Sequence, residues 1–278
     1  MLKRSLSVTM SVVMSLALLL PTVSAHGDDH GHDHEQPQIY FKDADGNKLL
    51  VDVLPKADPS KWNETLGSFE IERDVAASII DETGNIVGTH QIEATVSEEE
   101  SNATLATGWR NARVLIAVDE EYRAKHPNWR NKTAAILEAA DDPFNREYNI
   151  DLTTSAYKLW NSNGADSAAL LYNLTGSGND PYDFVVGFTA DPNFDAGGIA
   201  FVYNGKPRGA GYSVNLDQGD SATAYAFQHE ISHNYGLGHD PQGSGIVCIM
   251  NYDYSYSTKT WDAAHKQTIR NNKHWFGR

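Results

Sequence analysis

The stretch from His229 to Asp240 reads HEISHNYGLGHD and contains three histidines, one glutamate and two glycines. If it is helical, His229 and His233 lie one turn apart on the same face, where two imidazoles can bind one metal ion. A third ligand cannot come from six residues further along the same helix. The chain therefore has to turn back, and Gly236 lies where a residue with positive φ would end the helix. His239 can then approach the same ion.

This ligand set predicts a catalytic zinc site. Three neutral imidazole nitrogens on Zn²⁺ leave a fourth position for water, which is typical of catalytic and not of structural sites. The ion lowers the pKa of that water toward about 7. Glu230, next to the first histidine, is placed to accept its proton as the water attacks a carbonyl. We therefore expect Glu230 to be the general base of a hydrolase that uses one zinc ion.

The motif resembles the metzincin zinc metalloprotease pattern H-E-x-x-H-x-x-G-x-x-H, and CIMNY at Cys248–Tyr252 resembles the Met-turn of that clan. Within the clan the sequence is most similar to the adamalysin (reprolysin) group, because Asp240 follows the third histidine and the Met-turn reads Cys-Ile-Met. The resemblance implies that Met250 lies beneath the metal and that Gly236 and Asp240 support the site. It also implies an α/β (α+β) fold for residues 107–278, with a mixed twisted sheet and a zinc-binding active-site helix.

Two features depart from the adamalysin pattern. Adamalysins carry disulfides, whereas Cys248 is the only cysteine of this chain, so we expect a buried apolar thiol. Met250 and Tyr252 have the Met-x-Tyr spacing of astacins and serralysins, in which the tyrosine is an extra zinc ligand that swings away to stabilise the oxyanion. Tyr252 is therefore a catalytic candidate, with simple packing as the alternative.

The segment that leads into the active-site helix resembles the adamalysin edge strand. The resemblance implies that protein or peptide substrates lie extended along this strand and add main-chain hydrogen bonds to it. The function predicted for the chain is thus that of a zinc metalloendopeptidase. The residues of the expected edge strand are Gly198, Ile199, Ala200, Phe201, Val202 and Tyr203.

Hydrophobic patterns predict the other elements of residues 107–278. Apolar runs indicate strands and longer periodic segments indicate helices, which gives one mixed sheet with helices packed against it. The strands are expected at Ala112–Val118, Ile150–Tyr157 and Tyr182–Phe188. The helices are expected at Trp129–Ala140, at Ser167–Leu174, from near Ser221 onward and at Trp261–Asn271.

Residues 38–106 are predicted to form a small β-rich pro-segment or accessory domain. Turns at Asp45-Gly46 and Gly84-Asn85 interrupt strand-like runs and indicate two β-hairpins. Ser97–Gly108 lacks periodicity and reads as a linker. No cysteine precedes Cys248. If this part blocks the zinc site, it therefore has to use carboxylates or imidazoles.

The first 37 residues comprise two segments that differ in composition. Two basic residues, an apolar run and the small residues before Ala25 predict a signal peptide at residues 1–25, and hence a secreted or periplasmic protein. Residues 26–37 read HGDDHGHDHEQP and are expected to be disordered. They are either a solvated acidic tail or an additional metal-binding segment. The histidines of this tail are His26, His30, His32 and His34.

Net charge excludes some partners. The formal net charge is −15, and loss of the two basic residues of the signal peptide makes it more negative, so nucleic acid and anionic membranes are not expected as partners. The apolar run of the signal peptide is too short for a comfortable membrane span. Two other functions remain open, a non-enzymatic metal-scavenging protein and a proteolytically inactive adhesion module. Glu230 argues against both, because binding zinc does not require a carboxylate at that position. The oligomeric state is not predicted.

Overall fold

Nine strands form one mixed sheet in the computed structural model, which describes residues 39–42, 46, 48–60, 69–71, 73–95, 109–178 and 181–278. The predicted signal peptide, the His-rich tail and the linker lie outside these residues. The order across the sheet is β1-β2-β8-β9-β7-β5-β6-β3-β4. The strands are β1 Ile39–Lys42, β2 Lys48–Leu54, β3 Val75–Ile80, β4 Ile86–Ile92, β5 Arg110–Val118, β6 Ile150–Leu159, β7 Phe184–Thr189, β8 Gly198–Val202 and β9 Gly211–Leu216.

Five helices accompany the sheet in the described part of the chain. Three of them begin after an aspartate whose side chain accepts a backbone N–H of the first turn, namely Asp119, Asp166 and Asp262. None of the described helices is long and apolar enough to cross a membrane. The helices are α1 Glu120–Lys125, α2 Trp129–Tyr148, α3 Ser167–Thr175, α4 Asp220–Asn234 and α5 Ala263–Asn272.

The helices cover both faces of the sheet. Along β5, Val114 and Ile116 join the core cluster that contains α2, α4 and α5, whereas Leu115 and Ala117 join the cluster that contains α3. This alternation follows from the two-residue repeat of a strand. The central strand β7 is buried along its whole length, as parallel strands covered on both faces are. A mixed sheet with helices against it was predicted, and the structure confirms it.

Most predicted elements of residues 107–278 are present, with bounds within two residues of the expected ones. The exception is α2, which was expected to end at Ala140 and continues to Tyr148. Pro143 lies inside it and has no N–H to donate to the carbonyl of Ala139. The Lys259 ammonium donates to that carbonyl at 2.8 Å and replaces the missing helical bond. Helix α1 and strand β9 were not predicted as elements.

The two N-terminal hairpins are present, but they lie at opposite ends of the sheet and do not pack together as one unit. The β1–β2 hairpin pairs with β8 and the β3–β4 hairpin pairs with β6, with five strands between them. A hairpin forms from local sequence, whereas its partner strand is set by a distant segment. Both hairpins therefore extend the sheet of residues 107–278.

The prediction that Gly198–Tyr203 is an edge strand is wrong for the described chain. Strand β2 pairs with β8 in antiparallel register, from Leu50 opposite Val202 to Leu54 opposite Gly198. The other side of β8 pairs with β9. The position expected for a substrate is thus filled by the chain itself.

Candidate metal centre

Helix α4 carries the first two predicted ligands and is fixed to the sheet below it. Its residues from Ala222 to Asn234 are all buried. At its end, the Asn234 amide donates to the carbonyl oxygen of Phe201 on β8 at 2.8 Å and to that of Tyr212 on β9 at 3.3 Å. The helix therefore has one fixed position relative to β8.

The chain turns at Gly236, as the sequence predicts. This glycine has φ +87°, and a Cβ atom there would lie 2.9 Å from the carbonyl oxygen of Tyr203. The N–H groups of Gly236 and Leu237 donate back to the carbonyls of His233 and Ser232 at the end of the helix. The turn brings His239 back to the helix.

The three predicted ligands meet at one point. The Nε2 atom of His229 lies 3.0 Å from that of His233 and 3.3 Å from that of His239. Two nitrogens that bind one tetrahedral zinc ion at ordinary bond lengths lie roughly 3.3 Å apart. The spacing of these donor atoms therefore fits zinc.

Hydrogen bonds on the far side of the rings orient the donors. Nδ1 of His229 lies 2.7 Å from the carbonyl oxygen of Ile249, and Nδ1 of His233 lies 2.7 Å from that of Leu237. A carbonyl only accepts, so each Nδ1 carries the hydrogen and each Nε2 presents a lone pair. Burial lowers the pKa of His229 to about 4 and also lowers the pKa of His239. The neutral form, which binds metal, is thus favoured.

A fourth donor, which the sequence did not single out, comes from β2. Asp52 Oδ2 lies 3.0 Å from Nε2 of His233, 3.1 Å from that of His239 and 3.6 Å from that of His229. Lone pairs and an anion this close together repel unless a cation lies among them. The donor set therefore fits a bound metal ion.

Glu230 lies beside this cluster without a hydrogen-bond partner among the described residues. It is fully buried, and both carboxylate oxygens lack a donor. A Cβ atom on Gly198 would overlap the carboxylate, so this glycine lets Glu230 lie against the start of β8. Burial raises its pKa well above the ordinary value, and the charge of Asp52 adds to this. An unpartnered buried carboxylate costs about 1–3 kcal/mol or more and is typical of functional sites.

Tyr252 also lies at the cluster. Its hydroxyl donates to Asp52 Oδ1 at 3.0 Å and is 3.2 Å from the carbonyl oxygen of Val53. Its ring centroid lies 4.2 Å from that of His239. The hydroxyl is thus next to the atoms that a substrate would approach, and in this structure it holds the carboxylate of β2.

The turn at Cys248–Met250 is buried and contacts two parts of the site. The carbonyl of Ile249 accepts from His229, and the carbonyl of Met250 accepts from the N–H of Asp240 at 3.1 Å. The turn therefore fixes the first histidine and the residue after the third. These contacts link the predicted supporting residues Met250 and Asp240 to the donor cluster.

A second group of polar side chains joins this turn to α5. His265 Nδ1 lies 3.3 Å from Cys248 Sγ, 3.4 Å from Asp240 Oδ2 and 3.1 Å from Asp262 Oδ1. No sequence pattern connects His265 with the site. Cys248 is buried, as predicted, and burial, with the nearby Asp240, raises the pKa of its thiol to about 12. In its protonated form this thiol serves as a hydrogen-bonding group.

Comparison with known proteins identifies the family. A sequence model for metallo-peptidase family M12 matches residues 109–271. Metalloprotease StcE of Escherichia coli O157:H7 is 36% identical over 114 residues, which are 40% of this chain and 12% of that protein. The chain thus spans only a small part of the length of this curated relative.

Two solved structures are similar to the chain, each at 13% sequence identity. One is described as a chaperone-substrate complex, with TM-score 0.45 over 71% of this chain and 40% of that chain. The other is metalloproteinase-II from Bacteroides fragilis, with TM-score 0.43 over 62% of this chain and 55% of that chain. Both likenesses are weak. The family match covers more than half of the sequence, and the chain therefore belongs to metallo-peptidase family M12.

Proposed function

We propose that the chain is an exported zinc-dependent endopeptidase of metzincin type. The observation that carries the proposal is that three histidine Nε2 atoms converge beside the buried and unpartnered carboxylate of Glu230. The Nε2 atom of His229 lies 3.0 Å from that of His233 and 3.3 Å from that of His239. Membership of a metallopeptidase family supports the same reaction class. The substrates are proteins or peptides.

The three histidines would hold the metal. When bound, zinc supplies a Lewis acid that polarises a peptide carbonyl and lowers the pKa of water. His229 and His233 are oriented by the carbonyls behind their rings, and His239 is brought in by the turn at Gly236. Substrate binding therefore needs little rearrangement of the ligands.

Glu230 moves the proton. Its carboxylate accepts a proton from the attacking water and later gives it to the leaving amine. Burial excludes bulk water from this exchange. Tyr252 donates a hydrogen bond to the oxygen that gains negative charge as the water attacks. A hydroxyl that already donates to a carboxylate oxygen beside the histidines is in reach of this oxygen.

Strand β8 positions the peptide. Its backbone groups on the side now paired with β2 would pair with an extended substrate in the same way. Asp52 lies opposite Ala200 and also reaches the donor cluster. A substrate residue opposite Ala200 would therefore lie at the metal, and the bond to be cut is next to it.

The location of the protein and the role of its N-terminal tail are proposed from the sequence alone. The pattern of residues 1–25 supports a cleaved signal peptide and a secreted or periplasmic location. A further metal ion on residues 26–37 remains a prediction, because those residues lie outside the described chain. The boundary between a pro-segment at 38–106 and a metalloprotease part at 107–278 is proposed in the same way, with both hairpins of the first part paired to the sheet of the second.

The test is cleavage of a peptide library by the purified chain and by its Asp52→Ala variant, with and without a chelator. We expect Asp52→Ala to cleave peptides, to lose this activity when the chelator is added and to regain it when zinc is restored. The matched control is Asp52→Ala combined with Glu230→Gln, which should bind zinc equally and cleave nothing. Because β2 can still cover β8 in Asp52→Ala, this variant is also tested after removal of residues 26–60. Zinc binding without any cleavage by either protein would exclude the peptidase and favour a metal-scavenging or adhesion protein.

A further inference from the structure

Asp52 occupies the position that a catalytic zinc site keeps for water. The three histidine nitrogens and Asp52 Oδ2 all lie within 4.8 Å of one another. The carboxylate oxygen is as near to the nitrogens of His233 and His239 as the nitrogens of His229 and His233 are to each other. A carboxylate is an ordinary zinc ligand. Four such donors complete a tetrahedral set.

The backbone that carries Asp52 is held as an extended peptide would be. Besides the pairing of β2 with β8, the carbonyl oxygens of Leu54 and Pro55 each accept a hydrogen bond. The donors are the Gly197 N–H at 2.7 Å and the Tyr256 hydroxyl at 2.8 Å, respectively. The segment therefore fills the cleft on both sides of the metal position.

We infer that the β1–β2 hairpin holds the enzyme latent, with the Asp52 carboxylate as fourth zinc ligand and β2 in place of the substrate. This inference rests on the proposed function, because latency presupposes an activity. It adds a residue to the metal site that neither the motif nor the family match contains. The family match begins at residue 109, after the hairpin.

The segment fills the cleft without being a substrate. The atom that lies among the histidine nitrogens is a side-chain carboxylate oxygen and not a peptide carbonyl oxygen. Asp52 Oδ2 takes the water position and Asp52 Oδ1 takes the hydrogen bond of Tyr252. One side chain thus occupies the fourth ligand position and also accepts the hydrogen bond of the oxyanion donor, Tyr252.

Packing of the β1–β2 hairpin also stabilises its position in the cleft. Val51 and Leu54 are buried, and the Phe41 ring stacks on Tyr172 at 5.7 Å and meets Phe201 edge-on at 5.9 Å. The chain that follows β2 is exposed from Pro59 to Ser60. A cut after Ser60 would leave the hairpin held by non-covalent contacts alone, and its dissociation would open the cleft.

The test measures access to the metal without requiring catalysis. Acetohydroxamic acid, a small zinc chelator, is titrated by calorimetry into the zinc-loaded chain from residue 26 and into its Asp52→Ala variant. If Asp52 occupies the position nine-tenths of the time, the apparent Kd of the unaltered chain is raised about tenfold. We expect the variant to bind at least about tenfold more tightly and to keep one zinc ion on the three histidines.

Two further variants keep the test decisive. Asp58→Ala changes an exposed aspartate of the same segment and should bind acetohydroxamic acid like the unaltered chain. Asp52→Asn preserves side-chain size in case Asp52→Ala does not fold, and it should also tighten binding. Equal binding by the unaltered chain and a folded Asp52 variant would overturn the inference.

Peptide hydrolysis by the same proteins separates the inference from the proposed function. Asp52→Ala should raise kcat/KM for a short fluorogenic peptide at least about tenfold over Asp58→Ala. Tighter hydroxamate binding without hydrolysis, also after removal of residues 26–60, would support Asp52 as the fourth ligand and refute the peptidase. Hydrolysis at the same rate by the unaltered chain and by Asp52→Ala would refute latency and leave the peptidase intact.

Discussion

Replacing Gly198 by alanine tests whether Glu230 acts from the place where the structure puts it. A Cβ atom at position 198 would lie 2.9 Å from Cγ and 3.0 Å from Cδ of Glu230 and would overlap Oε1, whereas ordinary contacts begin near 3.4 Å. The carboxylate therefore has to move by about 0.5 Å or more. The three histidines are anchored elsewhere and should still bind zinc.

The displacement sets the size of the effect. A shift of about 1 Å at a reacting group costs about 10²-fold in rate, so Gly198→Ala should lower kcat by about 10- to 10²-fold. KM should change little, because the backbone of β8 that pairs with the peptide is kept. Overpacking at this buried contact should also reduce the free energy of unfolding by about 1–3 kcal/mol.

The assay is steady-state hydrolysis of a fluorogenic peptide in the Asp52→Ala background, with zinc content measured on the same samples. Gly205→Ala is the matched control, because a Cβ atom there meets nothing within 4 Å. Equal kcat for Gly198→Ala and Gly205→Ala, with zinc bound in both, would refute the argument that Glu230 is the base in this position.

Three other predictions concern the same cleft. Glu230→Ala in the Asp52→Ala background should keep zinc and lose kcat by about 10²–10⁴-fold; near-normal hydrolysis would remove the general base from the mechanism. Tyr252→Phe in that background should lower kcat by about 10²-fold or less at unchanged KM, whereas an unchanged kcat would assign Tyr252 to packing. An organomercurial should not activate the unaltered chain, because Cys248 is its only cysteine and is buried; activation by the reagent before any unfolding seen by circular dichroism would contradict an oxygen ligand from Asp52.

The donor histidines could be predicted from sequence because their geometry is local. Helical periodicity puts His229 and His233 on one face, and Gly236 ends the helix with the positive φ that was expected. His239 then needs only a short turn to reach the others. Six residues separate it from His233, so no distant contact has to be known.

Asp52 could not be found in this way. It reaches the histidines only because β2 pairs with β8, whose residues are about 150 positions further along the chain. A shift of one residue in that register would turn the carboxylate to the other face of the sheet. The lack of a second cysteine limits an internal block to oxygen or nitrogen donors, but which carboxylate it is depends on the register.

The differences in the fold have similar causes. The pattern that predicts two hairpins is local, whereas their attachment to opposite ends of the sheet depends on β6 and β8. Helix α2 continues past its expected end at Ala140 and through Pro143, because Lys259, far away in sequence, donates to the carbonyl that the proline leaves free. His265 joins Cys248 through α5 in the same non-local way.

The pairing of β2 with β8 also matters for the solubility of the protein. Every residue of β8, which reads GIAFV, is buried in this structure. Loss of β2 would expose a row of unpaired N–H and C=O groups on an apolar strand, which is a template for pairing with other chains. A chain without β2 would therefore be prone to self-association through this edge. In the structure the N-terminal hairpin covers the edge and so prevents such pairing.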